Sequence, residues 1–143
     1  MTGPVLAERM AAMSSAPHIS TRIDRPATEV YDFASDPTNL PLWAAGLAGP
    51  QVERVGTRWV TDSPMGRISF TFTPRNDLGV LDHAVTLPSG ETVRNPMRVI
   101  PDGDGCEVVF TLRRRPGMTE EEYAADAEAV ERDLASLKIL LEE

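Results

Sequence analysis

The stretch from Met118 to Glu143, MTEEEYAADAEAVERDLASLKILLEE, constrains this chain more than any other. It is the one long uninterrupted helical pattern, and the rest must fold so as to cover it. Thr119 followed three residues later by Glu122 makes a capping box, and Pro116-Gly117 stops what precedes. Glu120, Glu121 and Glu122 crowd the first turn, where acidic groups meet the positive end of the helix dipole. Tyr123, Ala127, Val130, Leu134, Leu137 and Leu141 recur at helical spacing as one apolar stripe. The stripe tapers. Its last half is Leu-rich, whereas its first half sets one tyrosine among Ala124, Ala125, Ala127 and Ala129. A helix that is thin at one end leaves a hollow beside that end, so a cavity at Ala127 is expected.

With 143 residues the chain is expected to form one domain over 17–143 behind a flexible tail over 1–16. A domain of this size buries roughly 70% of the surface its unfolded chain exposes. The tail sequence, MTGPVLAERMAAMSSA, lacks the basic start and apolar core of a secretory signal. The net charge of −8 argues against nucleic-acid partners and anionic membranes, which require a basic face. No apolar run approaches the roughly 18–20 residues that span a bilayer. Cys106 stands alone, so no intrachain disulfide can form, which suits a cytoplasmic location. A monomer or homodimer is expected.

In chain order, His18 to Asp24 alternates like a strand with Ile19, Thr21 and Ile23 on one face. Pro26 then opens a short helix at its first position, with Val30, Phe33 and Ala34 facing inward. Asp36-Pro37 ends that helix and starts another as N-cap and first residue. Leu40, Trp43 and Leu47 anchor it. From Gln51 to Arg115 the period falls to two, in runs separated by turns. Ile68, Phe70 and Phe72 share a face, then Leu81, His83, Val85 and Leu87. Pro88-Ser89-Gly90 marks a hairpin. One strand is expected over 91–100, with Val93, Asn95, Met97 and Val99 inward and Pro96 at an edge or bulge. Val108, Phe110 and Leu112 close the series. The order is a strand, two short helices, about six further strands and a long helix, with antiparallel pairing dictated by the short turns.

The segment IDRPATEVYDFASDPTNLPLWAAG resembles the opening of the START-related, polyketide cyclase/dehydratase-like superfamily (SRPBCC). There an apolar strand leads to Pro-x-x-x-Val and then Asp-Pro-x-Asn-Leu-Pro-x-Trp, matched here by Pro26, Val30, Asp36, Pro37, Asn39, Leu40, Pro41 and Trp43. The resemblance implies an α+β helix-grip fold, in which a curved antiparallel sheet of about seven strands wraps the C-terminal helix. It further implies an internal cavity for an apolar, aromatic or lipid-like small molecule. Members include lipid carriers, hormone receptors, aromatic-polyketide cyclases and co-chaperones, so fold alone does not choose among functions.

His83 is the sharpest candidate for chemistry, because strand parity points it inward among apolar neighbours. A pocket histidine serves as acid or base near neutral pH or hydrogen-bonds a ligand carbonyl; a core histidine with no chemistry is the commoner case. Asn95 is inward by the same parity and needs partners, either ligand or backbone freed by Pro96. Trp59, Phe70, Phe72, Met97, Phe110, Tyr123 and Ala127 are the expected apolar lining, although an aromatic stripe is more often plain core. Three functions follow. The first is binding of a small apolar or aromatic ligand. The second is a cyclase or dehydratase using His83, with Tyr123 or Asn95, for proton transfer. The third is a partner-binding module akin to the co-chaperones, which an exposed hydrophobic patch would favour. None requires a cofactor. Two histidines and one cysteine, well separated, give a metal site no support. Arg113-Arg114-Arg115 is expected to pair with Glu120, Glu121 or Glu122. Asp102 to Gly105 is a turn and departs from a calcium loop. Parity places Arg94 and Arg98 outward.

Overall fold

A computed structural model describes residues 18–143; the tail expected over 1–16 and the residue after it lie outside the described residues. The first strand, β1 (His18–Ile23), buries Ile23 and half-buries Ile19 and Thr21, as its alternation requires. Helix α1 (Ala27–Ala34) follows, one residue later than the sequence indicates. Pro26 has an extended ψ of 141° and is therefore the cap, its carbonyl accepting from the Val30 N–H. The inward face of α1 carries Val30, Tyr31 and Ala34, with Phe33 only half-buried. Tyr31 can enter the core because its hydroxyl accepts from the Asn76 N–H at 3.0 Å, which removes the penalty for burying that oxygen. A 3-10 turn (Pro37–Asn39), capped by the Asp36 carboxylate on the Thr38 N–H, leads into α2 (Leu40–Trp43).

Seven strands follow: β2 (Val52–Val55), β3 (Arg58–Ser63), β4 (Gly66–Phe72), β5 (His83–Thr86), β6 (Thr92–Asn95), β7 (Met97–Asp102) and β8 (Gly105–Thr111). They form two antiparallel sheets, ordered β1-β8-β7 and β2-β3-β4-β5-β6. The single strand expected over 91–100 is in fact two, divided at Pro96, and each half belongs to a different sheet. The proline brings no N–H to a ladder, so pairing must break there. Its carbonyl instead accepts from the Thr111 N–H. Opposite the break, the segment leading into β5 spans both sheets. Val80 bridges Arg98, the Leu81 N–H donates to the Met97 carbonyl, and β5 then pairs with β6. One β-surface thus bends across a seam at Pro96.

The long helix, α3 (Glu120–Glu142), lies against β1 and α2 and sends Leu134 and Leu137 into a core with Ile23, Phe70, Leu81, Met97 and Val108. The architecture is the α+β helix grip anticipated above, with eight strands around three helices. Both halves of the capping box form: the Thr119 hydroxyl accepts from the Glu122 N–H at 3.1 Å, and the Glu122 carboxylate from the Thr119 N–H at 2.9 Å. At the other end Arg25 caps the helix, its Nε donating to the Leu141 carbonyl at 2.7 Å. Lys138 donates to the Arg22 carbonyl at 2.6 Å and pairs with Glu142. The turn after β1 therefore holds the helix C-terminus in place. Thr119→Ala should lower the unfolding free energy by about 1 kcal/mol, read from urea denaturation, because one N-terminal N–H loses its acceptor.

Candidate functional site

A cavity of about 230 Å³ opens between α3, α2 and the two sheets. From the sheet side come Phe72 on β4, His83 and Val85 on β5, Val93 and Asn95 on β6, Met97 on β7 and Phe110 on β8. Leu40, Trp43, Ala44, Gly46 and Leu47 supply the α2 side, and Pro64 and Met65 the turn between β3 and β4. The helix contributes Asp126, Val130, Asp133 and Leu134, and the segment leading to it Arg113 and Arg115. The interior is mainly apolar with a few polar groups, the usual make-up of a small-molecule site.

His83 is only 6% exposed. Its ring lies between Phe72 and Phe110, with centroids at 5.0 and 5.8 Å. Nδ1 is 3.0 Å from the Leu81 carbonyl oxygen, which can only accept, so Nδ1 carries the proton. Nε2 is then an acceptor, and the Asn95 amide donates to it over a long 3.5 Å. Burial pushes the His83 pKa down, against the opposing effects of the Leu81 carbonyl and Asp82. The imidazole is therefore neutral at pH 7, and Nε2 offers a lone pair that Asn95 engages only weakly.

The helix side carries acidic groups. Asp133 is half-buried and accepts from the Gly46 N–H at 3.2 and 3.3 Å, one contact to each carboxylate oxygen. Burial raises its pKa to about 6, against the downward pull of that N–H and of Arg132. Asp126, two turns earlier, is also raised, chiefly by burial. Neither carboxylate has an ion-pair partner among the described residues. A side chain at Gly46 would crowd this contact and shift the Asp133 carboxylate. A Cβ would stand 2.9 Å from an Asp133 oxygen and 3.3 Å from the Ala129 Cβ. Trp43, 6% exposed, is the one buried side chain among the described residues whose polar atom, Nε1, has no hydrogen-bond partner.

Phe72, His83, Asn95, Met97 and Phe110, all anticipated from strand parity, line this cavity. Four other residues expected in the lining lie elsewhere. Phe70 is 1% exposed and fills the core beneath Phe72, meeting it edge-to-face. Trp59 is paired opposite Phe70 and packs on the rim of that core. Tyr123 donates its hydroxyl to the Leu112 carbonyl at 2.7 Å and lies under Arg114, so it ties the start of α3 to the end of β8. Ala127 is half-buried outside the lining, because α3 turns the neighbouring face of 126, 130, 133 and 134 to the cavity. Arg115 pairs with Glu91 at 3.5 Å rather than with the acids of the first helical turn. Nothing in the sequence marks Asp126 and Asp133 as lining residues beyond their spacing to Val130, four before and three after, because acidic residues on a long helix ordinarily occupy its solvated side. Trp43 was legible as an anchor, though not as part of the lining.

Among the described residues there is no cluster of His, Cys, Asp or Glu able to hold a metal ion, and no helix long and apolar enough to cross a membrane. No curated protein matches the sequence. Solved structures do match in fold. XoxI from Bacillus cereus superposes with a TM-score of 0.70 at 14% identity, over 88% of this chain and 94% of its own. The Aha1 dimer from Colwellia psychrerythraea gives 0.69 at 16% identity, over 89% and 96%. CalU16 from Micromonospora echinospora gives 0.61 at 18% identity, over 88% and 73%. The family model described as polyketide cyclase/dehydrase and lipid transport matches residues 18–142, from the first strand through the gripped helix. With that match spanning every element described above, the chain belongs to the polyketide cyclase/dehydrase and lipid transport family.

Proposed function

We propose that the protein binds, in this cavity, a small molecule with a flat apolar body and a hydroxyl directed at His83, and that it does so in the cytoplasm without a cofactor. The observation that carries the proposal is a neutral, buried imidazole held between two phenylalanine rings with an underused acceptor. An apolar enclosure discriminates weakly by itself, whereas a buried acceptor discriminates against partners lacking a donor. The ligand-binding residues on this proposal are Phe72, His83, Asn95, Met97 and Phe110, joined by Leu40, Trp43 and Val130. The partner-module alternative has less support, because the exposed large apolar residues, such as Leu42, Val55, Leu78 and Ile100, are spread over different elements.

The test uses 2-naphthol and 2-methoxynaphthalene, which share a body and differ in the donor. Calorimetric titration should give 2-naphthol about tenfold tighter binding, in keeping with one hydrogen bond to a buried acceptor. His83→Phe preserves an aromatic ring between Phe72 and Phe110 and should abolish that preference. Equal affinity of the two probes for the native protein, or no binding of either, would refute the proposal.

A second function is supported by one further feature, the presence of neutral His83 and of Asp133, with its pKa near 6, around the same cavity. Two titratable groups displaced in this manner suit proton transfer on a bound polyketide-like compound. On that account neutral His83 is the base, and Asp133, largely ionised above about pH 6, is a second group able to take up and return a proton. A carrier would retain binding without turnover; an enzyme would show a rate that falls with His83→Phe while the probe still binds.

A further inference from the structure

Asp133 stands on the cavity face of α3, and its carboxylate oxygens lie 3.2 and 3.3 Å from the Gly46 amide nitrogen. Gly46 lines the same cavity and, having no side chain, does so through its backbone. The carboxylate therefore lies at the cavity wall. One N–H shared between two oxygens leaves most of their acceptor capacity unused. No cation compensates the charge. The ion pairs among the described residues lie elsewhere. Of the two lining arginines, Arg115 pairs with Glu91 and Arg113 is exposed, as is Arg132 beside Asp133. Burial raises the Asp133 pKa to about 6, so the charge carried above that pH costs stability. Asparagine would accept from Gly46 without that cost. On the sheet wall His83, 6% exposed, offers a second acceptor, Nε2, which only the Asn95 amide engages at 3.5 Å. Both groups call for a donor, and Asp133 calls for a cationic one.

We infer that Asp133 is a cation subsite of the cavity, selecting small molecules whose flat apolar body carries a protonated amine. The inference rests on the small-molecule reading of the cavity and narrows it to amine-bearing compounds. A partly buried carboxylate and an ammonium both lose water on meeting, and a direct charge-assisted hydrogen bond offsets that loss. A neutral donor in the same place leaves the charge uncompensated. Asp126, two turns earlier and under the influence of Arg115, is the second carboxylate of this wall and has no contact with Gly46. It adds to the negative field without forming the subsite.

Two probes share a body and differ in charge: 2-(aminomethyl)naphthalene and 2-(hydroxymethyl)naphthalene. At pH 8, where the amine is protonated and Asp133 ionised, calorimetric titration should give the amine about tenfold tighter binding. 2-Naphthol should compete with it. Asp133→Asn should remove the amine's advantage while leaving the affinity of the hydroxymethyl compound within about twofold. Asp126→Asn changes the net charge equally and should leave the advantage within about twofold. Urea denaturation of each variant checks that it folds. A second measurement uses the native protein with carbon-labelled aspartate. The Asp133 carboxyl signal, assigned by its loss in Asp133→Asn, should titrate at lower pH when the amine is bound and not when the hydroxymethyl compound is. An Asp133 signal that titrates alike with both probes overturns the assignment. So does an advantage that survives Asp133→Asn, or one that Asp126→Asn reduces as much, which would mark general attraction to a negative surface. Binding of 2-naphthol with no advantage for the amine overturns this inference alone. Failure of every probe to bind, 2-naphthol included, overturns the cavity reading together with it.

Discussion

Gly79→Ala should lower the unfolding free energy by about 3–5 kcal/mol, the range of severe single substitutions. Two causes add. Gly79 has φ of +71°, a conformation that costs a residue with a Cβ about 1–2 kcal/mol. A Cβ there would also lie 2.2 Å from the Val99 carbonyl oxygen, and both partners are backbone. No rotamer change relieves that overlap. The contact cannot open without breaking the bond from the Val99 N–H to the Gly79 carbonyl, 2.9 Å long and one residue before the Val80–Arg98 bridge. Gly56→Ala is the control. Its φ is +63° and nothing lies within 4 Å of the Cβ position, so only the conformational cost of about 1 kcal/mol applies. Urea-unfolding midpoints of the two variants should differ widely. Comparable small losses would show that the two sheets do not depend on close approach at Gly79.

That seam marks the limit of what the sequence discloses. Periodicity identified the strands because each has one covered face, and it identified α3 because a capped, tapered apolar stripe has few other uses. The parity of 81, 83, 85 and 87 placed His83 correctly inside. Periodicity is local, however, and cannot report which strand meets which. Pro96 signalled a fault in the run from 91 to 100, yet whether it meant an edge, a bulge or a change of sheet depends on the partner at Val80. The helix shows the same limit in rotation. At about 100° of rotation per residue, a stripe drawn through Asp126, Val130 and Asp133 lies about 70° round the helix from one drawn through Tyr123 and Ala127. The Tyr123–Leu112 tether and the Gly46–Asp133 contact settle which one faces the cavity. Both reach outside the helix, and neither is coded by a pattern within it.

Asp133→Asn should stabilise the protein above about pH 6 and leave it unchanged below about pH 4. The folded-state pKa is raised from 3.8 to about 6, so between those values the folded chain keeps a proton that the unfolded chain has released. The unfolding free energy attributable to this group therefore falls as pH rises through that window, and the deficit is complete above it. At face value the displacement corresponds to about 3 kcal/mol. The carboxyl is only partly buried, and solvent screening reduces the figure to about 2 kcal/mol. Asparagine removes the charge and retains an oxygen for the Gly46 N–H. Glu122 and Glu142, both shifted downward by hydrogen bonds, lose stabilising contributions as pH falls through the acidic range, a slope of opposite sign. They are common to both proteins, so the difference between variant and native curves isolates Asp133. Urea denaturation at pH 4, 6 and 8 provides the comparison; a variant no more stable than the native protein at pH 8 would contradict the displaced pKa. A gain at pH 8 accompanied by loss of probe binding or turnover would show that the chain retains a destabilising carboxylate beside its cavity for what that group does to the ligand.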